Sequence, residues 1–162
     1  MKEYHELPQP EDISIEERED AMGGYLMMFA ALAAGLPLPM LNMIAAVIYY
    51  YVNKKKSKFV HFHVAQSVLS QIPTSLLNGV LVFWTIRTFF GDRNFTDNFK
   101  GYALAVLVAN LAYIGFSIYA AVKARKGEMY YFLLFGRISY NIAFRVRDDE
   151  RIPKKAINLP PK

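Results

Sequence analysis

The stretch Met22–Val52, MGGYLMMFAALAAGLPLPMLNMIAAVIYYYV, holds no charged side chain across 31 residues. A water-soluble core helix has no use for that length of unbroken apolarity, and a solvated loop cannot carry it. One straight helix would run about 46 Å at about 1.5 Å per residue, against about 30 Å for the hydrocarbon core of a bilayer. Pro37 and Pro39 of Gly-Leu-Pro-Leu-Pro stand near the middle, where a helix breaks. The reading is two short helices, about Arg18–Gly35 and Leu38–Val52, folded back at that turn. A re-entrant hairpin and one kinked helix are the alternatives left open.

Working outward, the chain has 162 residues, 54% of them apolar and 20% charged. The charge is confined to the ends and short loops. Residues 1–20 carry eight of the fourteen acids against only Lys2 and Arg18, which argues against a basic organellar transit peptide. The acids read as a solvated cytoplasmic arm over residues 1–17, with a docking site as the alternative. Ser14-Ile-Glu-Glu17 has the form of a capping box, so a helix starts there. The net charge of +5 is the remainder of an acidic head and a basic tail, and no nucleic-acid partner is expected. With no cysteine, thiolate chemistry, disulfides and cysteine-ligated metals are excluded.

Ala30/Ala34 and Ala31/Gly35 are small residues four apart, a spacing that lets helices approach closely in lipid. Tyr49-Tyr50-Tyr51 reads as an interfacial aromatic belt. Lys54, Lys55, Lys56 and Lys58 follow, placed to dock on anionic lipid headgroups or on a partner. Between Phe59 and Phe90, His63, Gln66, Ser67, Ser70, Gln71, Thr74 and Asn78 fall in one helical sector. Pro73 is expected to divide an amphipathic lead-in, Lys58–Gln71, lying along the headgroups, from a span at Pro73–Phe90. Gly91–Lys100 is a polar loop. Tyr102–Val122 is an uncharged span carrying Ala105/Ala109 for packing and Asn110 and Ser117 on one face. Glu128–Phe144 fits an interfacial helix or strand better than a further crossing. Residues 145–162 form a basic cytoplasmic tail with no apolar periodicity.

The expected fold is therefore all-α: a polytopic membrane protein whose residues 18–127 form four short transmembrane helices. Lys and Arg accumulate on the cytoplasmic side. Under four crossings, sixteen of the nineteen cations share the side of the termini, leaving Arg87, Arg93 and Lys100 opposite. Both termini are placed in the cytoplasm, in a bacterial inner membrane.

The order of features resembles the bacterial Tic20-like family of small four-helix membrane proteins. It rests on Arg18, Ala21, Pro37 or Pro39, Lys55, Lys56, Ser57, Phe59, His63, Gln66, Lys126, Gly127, Glu128 and Tyr130. Ser57-Lys-Phe-Val-His-Phe-His63-Val-Ala-Gln66 is the most specific part, and the resemblance spans about residues 16–132. Gly24 and Tyr25 stand where the family commonly has a His, and Phe132-Leu133 where it has Tyr-Pro. The resemblance implies a four-helix fold and a link to protein translocation or insertion.

No cofactor or metal site is expected: His61 and His63 are two apart and do not share a helix face, and no catalytic set accompanies Ser67 or Ser70. Unpaired polar groups are costly in hydrocarbon, so the His63–Asn78 face must be used. It can glue the helices together, bind a larger membrane-protein partner, or line a hydrated path. The expected function is a non-enzymatic subunit of an inner-membrane assembly, with a small oligomeric channel as the alternative. With no native cysteine to interfere, a cysteine at position 5 should resist an impermeant thiol reagent on intact cells. Labelling from outside would contradict a cytoplasmic head.

Overall fold

The structure is a computed structural model that describes residues 4–30, 39–91 and 94–146. Among the described residues five helices follow one another: α1 (Ile15–Leu26), α2 (Pro39–Asn53), α3 (Lys58–Phe90), α4 (Asp97–Arg125) and α5 (Phe135–Phe144), with short 3-10 turns at Pro10–Asp12 and Met27–Phe29. Among the described residues there is no strand, only an isolated bridge between Tyr4 and Arg145. The all-α reading stands. The expected turn at Gly35–Pro39 and the small pairs Ala30/Ala34 and Ala31/Gly35 lie largely outside the described residues, as does the tail beyond residue 146.

Local chemistry sets the helix ends. Ser14 Oγ accepts from Glu17 N at 3.2 Å and Glu17 Oε2 accepts from Ser14 N at 2.9 Å, a closed capping box. Ser57 and Thr96 cap α3 and α4 in the same way through Val60 N and Phe99 N. After α4, Gly127 takes φ +78°. Its N–H bonds Ala124 O and the Glu128 N–H bonds Lys123 O, the paired closure of a Schellman motif. A Cβ at Gly127 would also stand 3.2 Å from Pro10 Cα, so the head runs directly over this turn.

Among the described residues two helices, α3 and α4, are long and apolar enough to cross a membrane, where four were expected. The reason is length. With 15 and 12 residues, α2 and α1 reach only about 22 and 18 Å, short of the roughly 30 Å hydrocarbon core. A soluble core helix would be mostly covered. Here only 17% and 22% of the most apolar 18-residue windows of α3 and α4 are buried. Phe83, Phe89 and Phe90 on α3 and Leu104, Leu107 and Leu111 on α4 stand outward.

The expected division at Pro73 is absent, since α3 continues through it. Proline removes one backbone donor and crowds the preceding turn. Beside it the Ser70 and Thr74 hydroxyls donate to Ser67 O and Gln71 O, and the Asn78 amide donates to Thr74 O. Ser and Thr side chains of this kind let a membrane helix carry proline.

The first half of α3 is wrapped by the rest of the chain. Phe59, Val60, Phe62, Val64 and Ala65 are buried there. Around Phe59 pack Ile13, Ala21 and Tyr25 of the head and α1, with Ala120, Ala121 and Ala124 of α4. On another side Phe62 meets Ala143 and Phe144 of α5. The result is a two-helix hairpin with a cap at the end where α3 starts and α4 stops.

The head belongs to this cap and is not a free arm. Tyr4 Oη donates to Asn141 Oδ1 at 2.7 Å, and His5 N donates to Phe144 O at 2.8 Å. Arg18 donates to Pro10 O and to Ile13 O, tying the head to α1. Acids of α1 meet the basic ends of the hairpin: Asp20 and Glu16 reach Lys56, and Glu19 reaches Arg125. Glu6, Glu11 and Asp12 of the head are exposed. The segment Glu128–Phe144, read as helix or strand, is an irregular run followed by helix α5.

The Ser14 backbone N–H holds the Glu17 carboxyl below its usual value of 4.5, with the Ser57 and Ser14 hydroxyls assisting. A lowered carboxylate pKa in the folded state gives stability that is present above pH 4.5 and lost as the pH falls through the folded value. Thermal unfolding in detergent should therefore weaken on acidification below about pH 4.5. Glu17→Gln should flatten that acid limb, and Ser14→Ala should cost about 1 kcal/mol at neutral pH.

Candidate functional site: a buried polar seam on α3

Six of the seven polar residues singled out in the sequence are at most 6% exposed: His63, Gln66, Ser67, Ser70, Gln71 and Asn78. Thr74 is half-buried. They form one seam along α3, but its two ends meet different elements.

At the cap end, Gln66 is the hub. Its Nε2 donates to Tyr25 Oη and to Tyr130 O, each at 2.8 Å, while its Oε1 accepts from Phe132 N at 3.1 Å. One side chain thereby joins α1, α3 and the irregular run after α4. Tyr25 is fully buried, and its hydroxyl lies 3.0 Å from His63 Nδ1. Tyr25 Oη, which accepts from Gln66, thereby links the amide to the imidazole through this second bond. The ring sits edge-on between Phe59 and Phe62. Ser67 Oγ donates to Gly24 O at 2.6 Å. A Cβ on Gly24 would stand 3.1 Å from Val64 Cγ1, so glycine allows α1 this approach.

Toward the middle of the hairpin the partner is α4. Tyr113 sits beside Ser70, Gln71 and Ser117. Further along, Asn78 and Asn110 exchange amide hydrogen bonds at 2.9 and 3.1 Å. Tyr102 Oη closes this end on Leu77 O. The pairing with Asn110 and Ser117 follows from the shared face read in the sequence. Tyr25, Tyr113 and the Tyr130 and Phe132 backbone groups were not singled out there. A tyrosine in an apolar run reads as core or interface, and nothing local marks its hydroxyl as a hydrogen-bond junction.

The basic turn is split by the fold. Lys56 is engaged by Asp20 at 2.6 Å, which holds its ammonium pKa above the usual range. Lys54, Lys55 and Lys58 line a cleft between the α2–α3 turn and α5. Among the described residues, no group of three His, Asp or Glu side chains could hold a metal ion.

This arrangement defines a helical membrane protein whose polar side chains face inward to fasten a cap onto a two-helix hairpin. The chain belongs to the MamF/MmsF family, the magnetosome magnetite crystal formation protein family, whose pattern matches residues 21–139. That is a membrane-protein family of the magnetosome membrane, which derives from the inner membrane. Comparisons with curated proteins and with solved structures give no match.

The family match overturns the Tic20-like resemblance, and with it the expected link to translocation or insertion. The alternative of a channel using the His63–Asn78 face is likewise without support. The residues behind that resemblance have structural duties here. Ser57 caps α3, Phe59 and His63 fill the cap core, Gln66 is the hub, and Gly127 terminates α4. Small helical membrane proteins need such residues whatever they do, so the pattern carried architecture without function.

Gln66→Leu would leave the Phe132 N–H and Tyr130 carbonyl without their partner in a buried site, a loss of about 1–3 kcal/mol per orphaned group. The variant should unfold in detergent well before the parent. Asn78→Ala and Asn110→Ala should show a coupling of about 0.6 kcal/mol in a double-mutant cycle, the usual scale for a bond between membrane helices. A wild-type midpoint for Gln66→Leu would contradict the hub.

Proposed function

We propose that the chain takes part in magnetite crystal formation as a non-catalytic membrane protein, presenting the α3–α4 turn to the mineral side of the magnetosome membrane. The family match supplies the process. The fold supplies the polarity: the cap and the α3–α4 turn lie at opposite ends of the hairpin. Lys54, Lys55, Lys56, Lys58, Lys123, Arg125 and Lys126 crowd the cap end, whereas Arg87, Arg93 and Lys100 are the cations near the turn. Cations favour the cytoplasmic face, and this supports reading the cap as cytoplasmic and the turn as facing the lumen around the crystal. This uneven charge along the hairpin is the observation that carries the reading.

The turn has suitable chemistry. GDRNFTDNFK offers two carboxylates, two amides and a hydroxyl, oxygen donors in a short mixed-charge loop. The Asp97 side chain is 98% exposed, held beside Lys100 at the start of α4. Carboxylate oxygens suit hard metal cations, at a mineral face as in solution.

Replacing Asn94, Phe95, Asp97 and Asn98 by Ser, with the Thr96 cap of α4 kept, should leave membrane insertion intact, because the seam and the cap are untouched. Crystals measured by electron microscopy in cells carrying only this variant should change in size or shape. Crystals identical to those of the parent, with the variant present in the magnetosome membrane, would contradict the reading.

A further inference from the structure

The cleft beside the α2–α3 turn has a volume of about 470 Å³ and is lined by Lys54, Lys55 and Lys58, by His61, and by Arg145 just past α5. No carboxylate is among its lining residues. Among the described residues none of these lysines, nor Arg145, has an acidic partner within 4 Å; the nearby acids Asp20 and Glu16 are spent on Lys56. The sequence places three of the cations in one turn. Only the fold adds Arg145, some 90 positions away, brought there because α5 packs on Phe62 and an isolated bridge pairs Arg145 with Tyr4.

Four uncompensated cations around one cavity make a site for a multiply charged anion. Arg and Lys together suit phosphate oxygens, the guanidinium as a fork and the ammonium groups as point charges. The position selects the kind of phosphate. The cleft opens at the end of α2 that carries the tyrosine belt, and Lys54 lies 4.1 Å from the Tyr51 ring centroid and 5.1 Å from that of Tyr50. Just along α2, Ile48, Tyr51 and Val52 stand outward, an apolar surface on which acyl chains can lie. We propose that this cleft binds the phosphate-bearing headgroup of an anionic membrane lipid, held by Lys54, Lys58 and Arg145. It stands at the cap end, remote from the turn assigned to the mineral, so either assignment can fail alone.

The test is native mass spectrometry of the full-length protein in detergent, offered phosphatidylglycerol, cardiolipin and phosphatidylcholine. One anionic lipid should be retained in preference to phosphatidylcholine. The pair Lys58→Gln and Arg145→Gln should weaken its retention by about ten-fold, the scale of two interfacial cations. Lys54→Gln alone, at a half-exposed turn position that leaves the fold intact, should weaken it by a smaller factor. Arg87→Gln at the far end should leave it unchanged. Equal retention of phosphatidylcholine, or no change in either cleft variant, would overturn the proposal. Displacement of the lipid by millimolar inorganic phosphate would assign the cleft to a soluble phosphate and overturn the lipid source.

Discussion

One constraint organises the cap: the buried Gln66 amide on the first half of α3 must be satisfied inside the protein. In lipid an unsatisfied amide or hydroxyl has no water to fall back on. Gln66 meets the constraint for three elements at once, accepting from Phe132 N while donating to Tyr25 Oη and Tyr130 O. Tyr25 in turn hydrogen-bonds His63, and Ser67 donates to the Gly24 carbonyl. Each of these bonds fixes a piece of chain with little means of fixing itself. α1 is only 12 residues long, too short for a stable isolated helix, and the run from Glu128 to Leu134 is irregular. The cap exists because α3 needs it.

Charge also draws α1 onto the base of the hairpin. Its Asp20 and Glu19 face Lys56 and Arg125, cations beside the ends of α3 and α4. Individually such exposed pairs contribute little. Their effect here is to orient a segment that the Tyr4 and His5 contacts to α5 and the buried Ile13 already hold. The cap is thus one unit built from both ends of the described chain around the base of the hairpin.

Much of this was written in the sequence, at the scale where periodicity speaks. The sector from His63 to Asn78, the capping box at Ser14, the span ending near Lys123 and the Gly127 stop all stand where the pattern put them. What misled was hydropathy read without packing. Met22–Val52 is apolar enough to suggest two crossings, yet part of it, around Tyr25, covers the seam. Pro73 was taken as a break because propensity treats a helix alone, whereas Ser70, Thr74 and Asn78 engage the backbone around it. Arg145 could not be joined to Lys58 from sequence, since the two line one cleft only once α5 docks. Family membership was least legible, because residues that serve a helix cap, a core or a turn recur wherever that geometry does.

The central claim is that Gln66 fastens the segment after α4 to α3. Amide hydrogen exchange across residues 130–134, in lipid nanodiscs, tests it most directly. That run has no helical ladder of its own, so slow exchange of the Phe132 N–H in the parent, lost in a Gln66→Leu variant while α4 stays protected, is the predicted result. Fast exchange at Phe132 in the parent protein, or equal protection in both, would contradict the account.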